Sequence, residues 1–101
     1  MNIVNSLYLN FQNDTKESRY SFRMFKEKFL DGQAFGIEVE RQDLVNGNIV
    51  EIERDSISKI SNKEEKVMEL LKLVHNHQVS PIHLVDILGE YVDNYTSDFN
   101  I

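Results

Sequence analysis

The chain has 101 residues, 41% of them hydrophobic, with one proline, four glycines, no cysteine and a formal net charge of −6. That length fits one small core, and the missing thiols exclude a disulfide scaffold, a thiolate metal site and a cysteine nucleophile. No apolar run reaches the length of a bilayer, and no basic segment followed by an apolar stretch opens the chain, so a cytoplasmic protein with no membrane contact is expected.

The first half alternates with the period of a strand. In SLYLNFQ, Leu7, Leu9 and Phe11 share one face, with Ser6, Tyr8, Asn10 and Gln12 opposite. After a polar turn, SRYSFRMF puts Tyr20, Phe22 and Met24 inward and Arg19, Ser21, Arg23 and Phe25 outward. The link KEKFLDGQ reads either as more of strand two, turning at Asp31-Gly32, or as a loop. AFGIEVE then buries Phe35, Ile37 and Val39 and exposes Gly36, Glu38 and Glu40. Asn46-Gly47 is the dipeptide that best tolerates the positive φ angles of a tight hairpin. Closed there, the hairpin sets Val50 and Ile52 of NIVEIER inside, Ile49, Glu51 and Glu53 outside, and Glu40 directly opposite Glu53. The expected unit is a four-stranded antiparallel meander with one buried face.

From Ser61 the period becomes helical. Ser61 and Glu64 fit a capping box, and Val67, Leu70, Leu71 and Val74 form the apolar stripe that follows. Asn76-His77-Gln78 breaks it, and Ser80-Pro81 restarts it as an N-cap and a first-turn proline. The second helix runs to about Tyr95, with Ile82, Val85, Leu88 and Val92 on one stripe and Leu84, Ile87 and Tyr91 beside it. The whole reads as a single α+β domain, ββββαα: a sheet over residues 1–60, a helical hairpin over 61–96 packed on one face, and a frayed tail over 97–101.

Three constellations are candidates for chemistry. His75, His77 and His83 flank the bend between the helices. Metal ligands on one helix are three or four residues apart, which His75 and His77 are not, and only Asp86 stands near to complete a set. Histidines at a helix end are ordinarily dipole-stabilised and solvated, so no metal or cofactor is expected. The bend also has the length of a helix-turn-helix, but its second helix begins apolar and then acidic where a DNA reader carries polar or basic side chains. Residues 1–60 hold eight basic and ten acidic side chains, residues 61–101 three and seven, and Arg54 is the last arginine; that balance is poorly suited to phosphates. Finally, Glu38, Glu40, Glu51 and Glu53 would crowd the sheet's outer face near Arg19, Arg23, Tyr8 and Phe25. A flat sheet gives carboxylates no concave site in which to act as acid and base, so the patch is a solvated ion-paired face or a contact surface, and an enzyme is not expected.

At GIEVE, residues 36–40, and VSPIHLVDILGEYVD, residues 79–93, the chain resembles a family of small uncharacterised proteins of spore-forming, low-GC Gram-positive bacteria, a domain of unknown function. The resemblance covers most of the chain from about Ser18 onward. It brings no activity, cofactor or site residue, and implies a bacterial cytoplasmic origin and an accessory role. The expected function is therefore a non-enzymatic, regulatory protein–protein interaction module. Its contact surface is either the sheet's outer face (Tyr8, Arg19, Arg23, Phe25, Glu38, Glu40, Glu51, Glu53) or the helical pair. There the surplus apolar Met68, Leu73 and Leu84 suggest a homodimer. The alternative is a nucleic-acid-linked regulator, as a degenerate helix-turn-helix or an acidic DNA mimic; a ligand site between sheet and helices ranks third.

Overall fold

A computed structural model describes residues 2–99. Four long antiparallel strands, β1 (Asn2–Asn13), β2 (Lys16–Phe29), β3 (Gly32–Val45) and β4 (Asn48–Ser61), form one sheet in the order β1-β2-β3-β4. Two helices, α1 (Glu64–Asn76) and α2 (Leu84–Tyr95), follow, with a 3-10 turn at Pro81–His83 before α2 and another at Thr96–Phe99 after it. The ββββαα order is the one the periodicities imply. KEKFLDGQ is strand rather than loop, and it turns at Leu30-Asp31, one residue earlier than Asp31-Gly32.

The core forms where the helices meet the sheet. Phe22 and Met24 of β2, Phe35, Ile37 and Val39 of β3 and Ile60 of β4 face Val67, Leu70, Leu71 and Val74 of α1 and Leu84 and Leu88 of α2. All four α1 positions picked out by the helical period are buried. A strand of 14 residues spans about 46 Å at 3.3 Å per residue, whereas a helix of 13 residues spans about 20 Å. The helices therefore cover only one half of the sheet, and the molecule is elongated, 51 × 24 × 18 Å. Tyr20 marks the end of the cover, stacked on Phe22 at 6.0 Å with its hydroxyl 3.3 Å from that of Ser80. Beyond it the two hairpin tips project together, tied by the Asn46 N–H donating to the Thr15 carbonyl at 2.8 Å.

Asn46-Gly47 turns as its composition demands, with φ of 53° and 83°. The register it sets, however, survives only two pairs, because a bulge between the Leu44–Ile49 and Asp43–Glu51 pairs leaves Val50 unpaired. One extra residue moves every later β4 side chain to the other face. Ile52 consequently faces outward with Val50 also exposed, Glu53 turns to the helix side opposite Arg41, and Glu40 faces Arg54 instead of Glu53.

Phe25 is a second correction. It does point to the outer face, yet it is only 1% exposed, because its cross-strand partner is Gly36 and its ring lies over that glycine. A Cβ at Gly36 would fall 2.5 Å from the Phe25 ring and 2.4 Å from the Ile57 carbonyl oxygen. Gly36 is thus a steric requirement: the missing side chain makes room for an aromatic ring on an otherwise polar face.

The helix ends also differ from the expected caps. Ser61 is the last residue of β4, fully buried; its hydroxyl accepts from the Lys63 N–H at 3.1 Å and donates to Asp98 at 2.7 Å, so no box with Glu64 forms. Lys66 donates to both Asp98 oxygens at 2.9 Å, and Asn62 donates to the Asp98 carbonyl. Phe99 meets Phe29 edge-on at 5.1 Å. Residues 97–99 of the expected frayed tail are therefore fastened across the sheet's end; 100 and 101 lie outside the described residues.

The bend at HNHQVSP is a helix stop of the Schellman type. Val79 N–H bonds the Val74 carbonyl at 2.9 Å and Gln78 N–H the His75 carbonyl at 3.1 Å, with Val74 and Val79 both buried. Gln78 occupies the left-handed position, φ 53°, where glycine is usual. Ser80 begins the next turn without a side-chain cap, its hydroxyl directed to Tyr20 instead.

Candidate protein-interaction surface

The expected acidic patch is dispersed by the bulge. On the outer face, Glu40 accepts from Arg23 at 3.3 Å, Arg54 at 3.1 Å and Gln42 at 2.9 Å, while Arg23 also holds Glu38 at 2.9 Å. Burial pushes the Glu40 carboxyl up, but hydrogen bonds from Gln42, Arg23 and Arg54 outweigh it and hold it below the usual carboxylate range. Arg19 turns to Glu17 at 2.8 Å rather than to the glutamates of β3. Glu53 pairs with Arg41 at 3.1 Å on the helix side, where Arg41 also reaches Asp43, and Glu51 stands opposite Asp43. Of the eight outer-face candidates, Tyr8, Arg19, Arg23, Glu38 and Glu40 share that face without Phe25's complete burial, and Glu40 is itself only 6% exposed beneath its arginines. Tyr8 is 65% exposed, on β1 opposite Ser21, with Arg19 and Arg23 diagonal to it on β2.

The helical candidates are redistributed as well. Leu84 is fully buried in the core and offers no contact surface, while Met68 and Leu73 are partly buried against it. Met68 accepts a long hydrogen bond from the Asn5 side chain at 3.7 Å. The exposed apolar positions of the helical pair include instead Ile82, 70% exposed, and Val85, 54% exposed, both of which the helical period turns inward, together with the less exposed Ile87 and Tyr91. The 3-10 turn at Pro81–His83 accounts for Ile82: at about three residues per turn it advances the chain by a different angle than the helix that follows.

Ile82 and Val85 lie in a strip along β4. One open groove is lined by Ile52, Glu53, Arg54, Asp55, Pro81 and Ile82, and the next by Ile57, Val85, Gly89, Val92 and Asp93. Ile49 and Val50, toward the hairpin tip, are exposed as well, Ile49 on the outer face of the sheet with Ile52. The rim is acidic: Asp55, Asp86, Glu90 and Asp93 are exposed, and no lysine or arginine follows Lys72. Arg54, the cation among the described residues lining the two grooves, has its guanidinium on Glu40 at 3.0 Å.

Gly89 is the least expected member. A glycine inside a helix costs about 0.8–1 kcal/mol relative to alanine. Yet a Cβ built on Gly89 meets nothing within 4 Å, so no contact within the chain requires its absence. The space above Gly89 opens into the groove. The signal for it in the sequence is a glycine in the middle of a helix, between Val85 and Val92 on the same side.

The histidines stay apart. His75 packs edge-on against Phe22 at 5.4 Å and its Nε2 donates to the Tyr8 carbonyl at 3.0 Å, His77 caps α1, and His83 ends the 3-10 turn. Among the described residues, no three His, Cys, Asp or Glu side chains gather as metal ligands, and no helix is long and apolar enough to cross a membrane.

Comparison with curated proteins gives no match, nor does comparison with solved structures. A family model matches residues 1–94, taking in β1 as well as the stretch from Ser18 and ending one residue short of the end of α2. With the whole sheet and nearly all of the helical pair included in that match, the chain belongs to DUF6514, a family of unknown function.

Proposed function

We propose that the protein is a non-enzymatic interaction module that binds another protein along the β4–α2 strip. Its role is accessory or regulatory, in the cytoplasm of a spore-forming low-GC Gram-positive bacterium. The observation that carries this reading is the strip itself: exposed Ile82 and Val85 with half-buried Ile57 and Val92 beside Gly89, bordered by Asp55, Asp86, Glu90 and Asp93, for which no ion pair is seen among the described residues. Contiguous apolar surface with a polar rim marks contact sites, and the acidic rim selects a partner segment that brings apolar side chains together with lysine or arginine. A second copy fits this strip poorly, since its own Asp55, Asp86 and Asp93 would meet their counterparts.

The test uses the full chain and a soluble peptide alternating lysine with valine. Titration should shift the amide resonances of Ile57, Val85, Gly89 and Val92, weaken as salt is raised, and fail for the glutamate–valine counterpart. Replacing Asp93 by lysine should weaken it. Equal binding of both peptides, or shifts confined to the sheet's outer face, would overturn the assignment.

A further inference from the structure

The sheet has two edges, β1 and β4, and they are built in opposite ways. β4 carries five charged side chains, the Val50 bulge and a second irregularity around Lys59, whose φ is 55°. Such features keep an edge from pairing with other chains. β1, NIVNSLYLNFQN, carries no charge and no proline, and its one irregularity lies at Val4 near its start. We propose that β1 pairs antiparallel with β1 of a second copy, making one continuous sheet across a twofold axis. This surface is separate from the β4–α2 strip, which the pairing leaves free at the outer ends.

The turn geometry fixes which backbone groups are available. β1 and β2 close on the Asn13–Lys16 pair around Asp14-Thr15, and bonded pairs alternate from there. Residues 13, 11, 9 and 7 bond to β2, so the N–H and C=O groups of Ser6, Tyr8, Asn10 and Gln12 point away from the sheet. His75 agrees with this parity, because the carbonyl its ring reaches is that of Tyr8. A twofold axis at Leu9 sets Tyr8 against Asn10 and Ser6 against Gln12, the backbone-bonded pairs of the seam. On the helix face it sets Leu9 against Leu9 and Leu7 against Phe11, which is 41% exposed in the single chain. Apolar meets apolar, polar meets polar, and no charge enters the seam. For a chain of net charge −6, a neutral strand is the place where two copies approach with least repulsion. The second copy's Asn10 N–H takes the Tyr8 carbonyl, displacing His75.

Sedimentation of the full chain over a concentration series, paired with amide hydrogen exchange, tests this. The expected result is a monomer–dimer equilibrium in which the Tyr8, Asn10 and Gln12 amides slow their exchange as dimer forms. Asn10→Pro removes an outward N–H without touching the β2 ladder, and should stay folded and monomeric. Asn10→Lys, which keeps the N–H but brings charge into the seam, should also be monomeric if the proline variant fails to fold. His75→Ala frees the Tyr8 carbonyl and should tighten the dimer. Monomer alone at the highest concentration, a dimer whose three amides exchange as in the monomer, or a dimer that survives Asn10→Lys would overturn the proposal.

Discussion

Gly36→Ala is the perturbation for which the packing makes the sharpest demand. The added methyl carbon would lie 2.4 Å from the Ile57 carbonyl oxygen and 2.5 and 2.8 Å from two atoms of the Phe25 ring. The carbonyl belongs to the neighbouring strand, so relief there means displacing β4; relief at the ring means lifting Phe25 off the sheet. Overpacking of this kind costs about 1–3 kcal/mol, and exposing a buried phenylalanine costs a further 1.5–3 kcal/mol or so. We expect a loss of about 2.5–6 kcal/mol, a large share of a small domain's stability. Urea unfolding of the purified chain measures it as a lower midpoint at unchanged slope. Phe25→Ala alone should cost about 3–5 kcal/mol, as other buried phenylalanines do. The double variant should cost less than the sum of the two, because the ring half of the clash is gone. A Gly36→Ala midpoint within about 0.5 kcal/mol of the parent, or strict additivity with Phe25→Ala, would show that the ring does not rest on Gly36.

Three further outcomes follow from the same geometry. Gln78→Gly should stabilise the chain by about 1 kcal/mol, since the left-handed position at the stop of α1 penalises a side chain; thermal melting would show the gain, and a loss would contradict the helix-stop assignment. Glu40→Ala should cost about 1.5–3 kcal/mol in urea, because Arg23 and Arg54 lose a shared charged acceptor, whereas Glu51→Ala, with no such partner, should be close to neutral. Asp98→Asn should lower stability at neutral pH and lose its effect in acid. The Ser61 hydroxyl and Lys66 hold the Asp98 carboxyl below its usual range, so its contribution is complete above the unfolded carboxylate's range and is lost as pH falls through the lower folded value. Unfolding midpoints of both proteins from neutral pH into strong acid should converge; a constant gap would contradict it.

What the sequence made legible were features with a local cause. Alternation in SLYLNFQ and SRYSFRMF is set by the strand's own period, Asn46-Gly47 by its tolerance of positive φ, and Val67, Leu70, Leu71 and Val74 by the helix. The family resemblance, carried by VSPIHLVDILGEYVD, pointed to a domain of unknown function, and the match over residues 1–94 bears out that much. The misreadings came from long-range effects. No residue near Val50 announces a bulge, yet that one residue exchanged the faces of β4, turned a clash of Glu40 with Glu53 into a pair with Arg54, and dissolved the acidic patch. Phe25 looked exposed because its face is polar; its burial depends on Gly36, on another strand. Leu84 and Val85 are adjacent and chemically alike, and only the way α2 packs on the sheet puts the first in the core and the second in solvent.

The central claim, that the β4–α2 strip receives a basic apolar segment of another protein, is tested most directly by photo-crosslinking in the native cells. A photoreactive side chain is placed at Ile82 or Val85 in the strip, and at the exposed Lys72 of α1 as a control. The account predicts one discrete protein adduct from both strip positions and none from Lys72, with the crosslinked peptide rich in lysine or arginine beside apolar residues. Adducts no stronger at Ile82 and Val85 than at Lys72, or a crosslinked segment that is acidic, would contradict it.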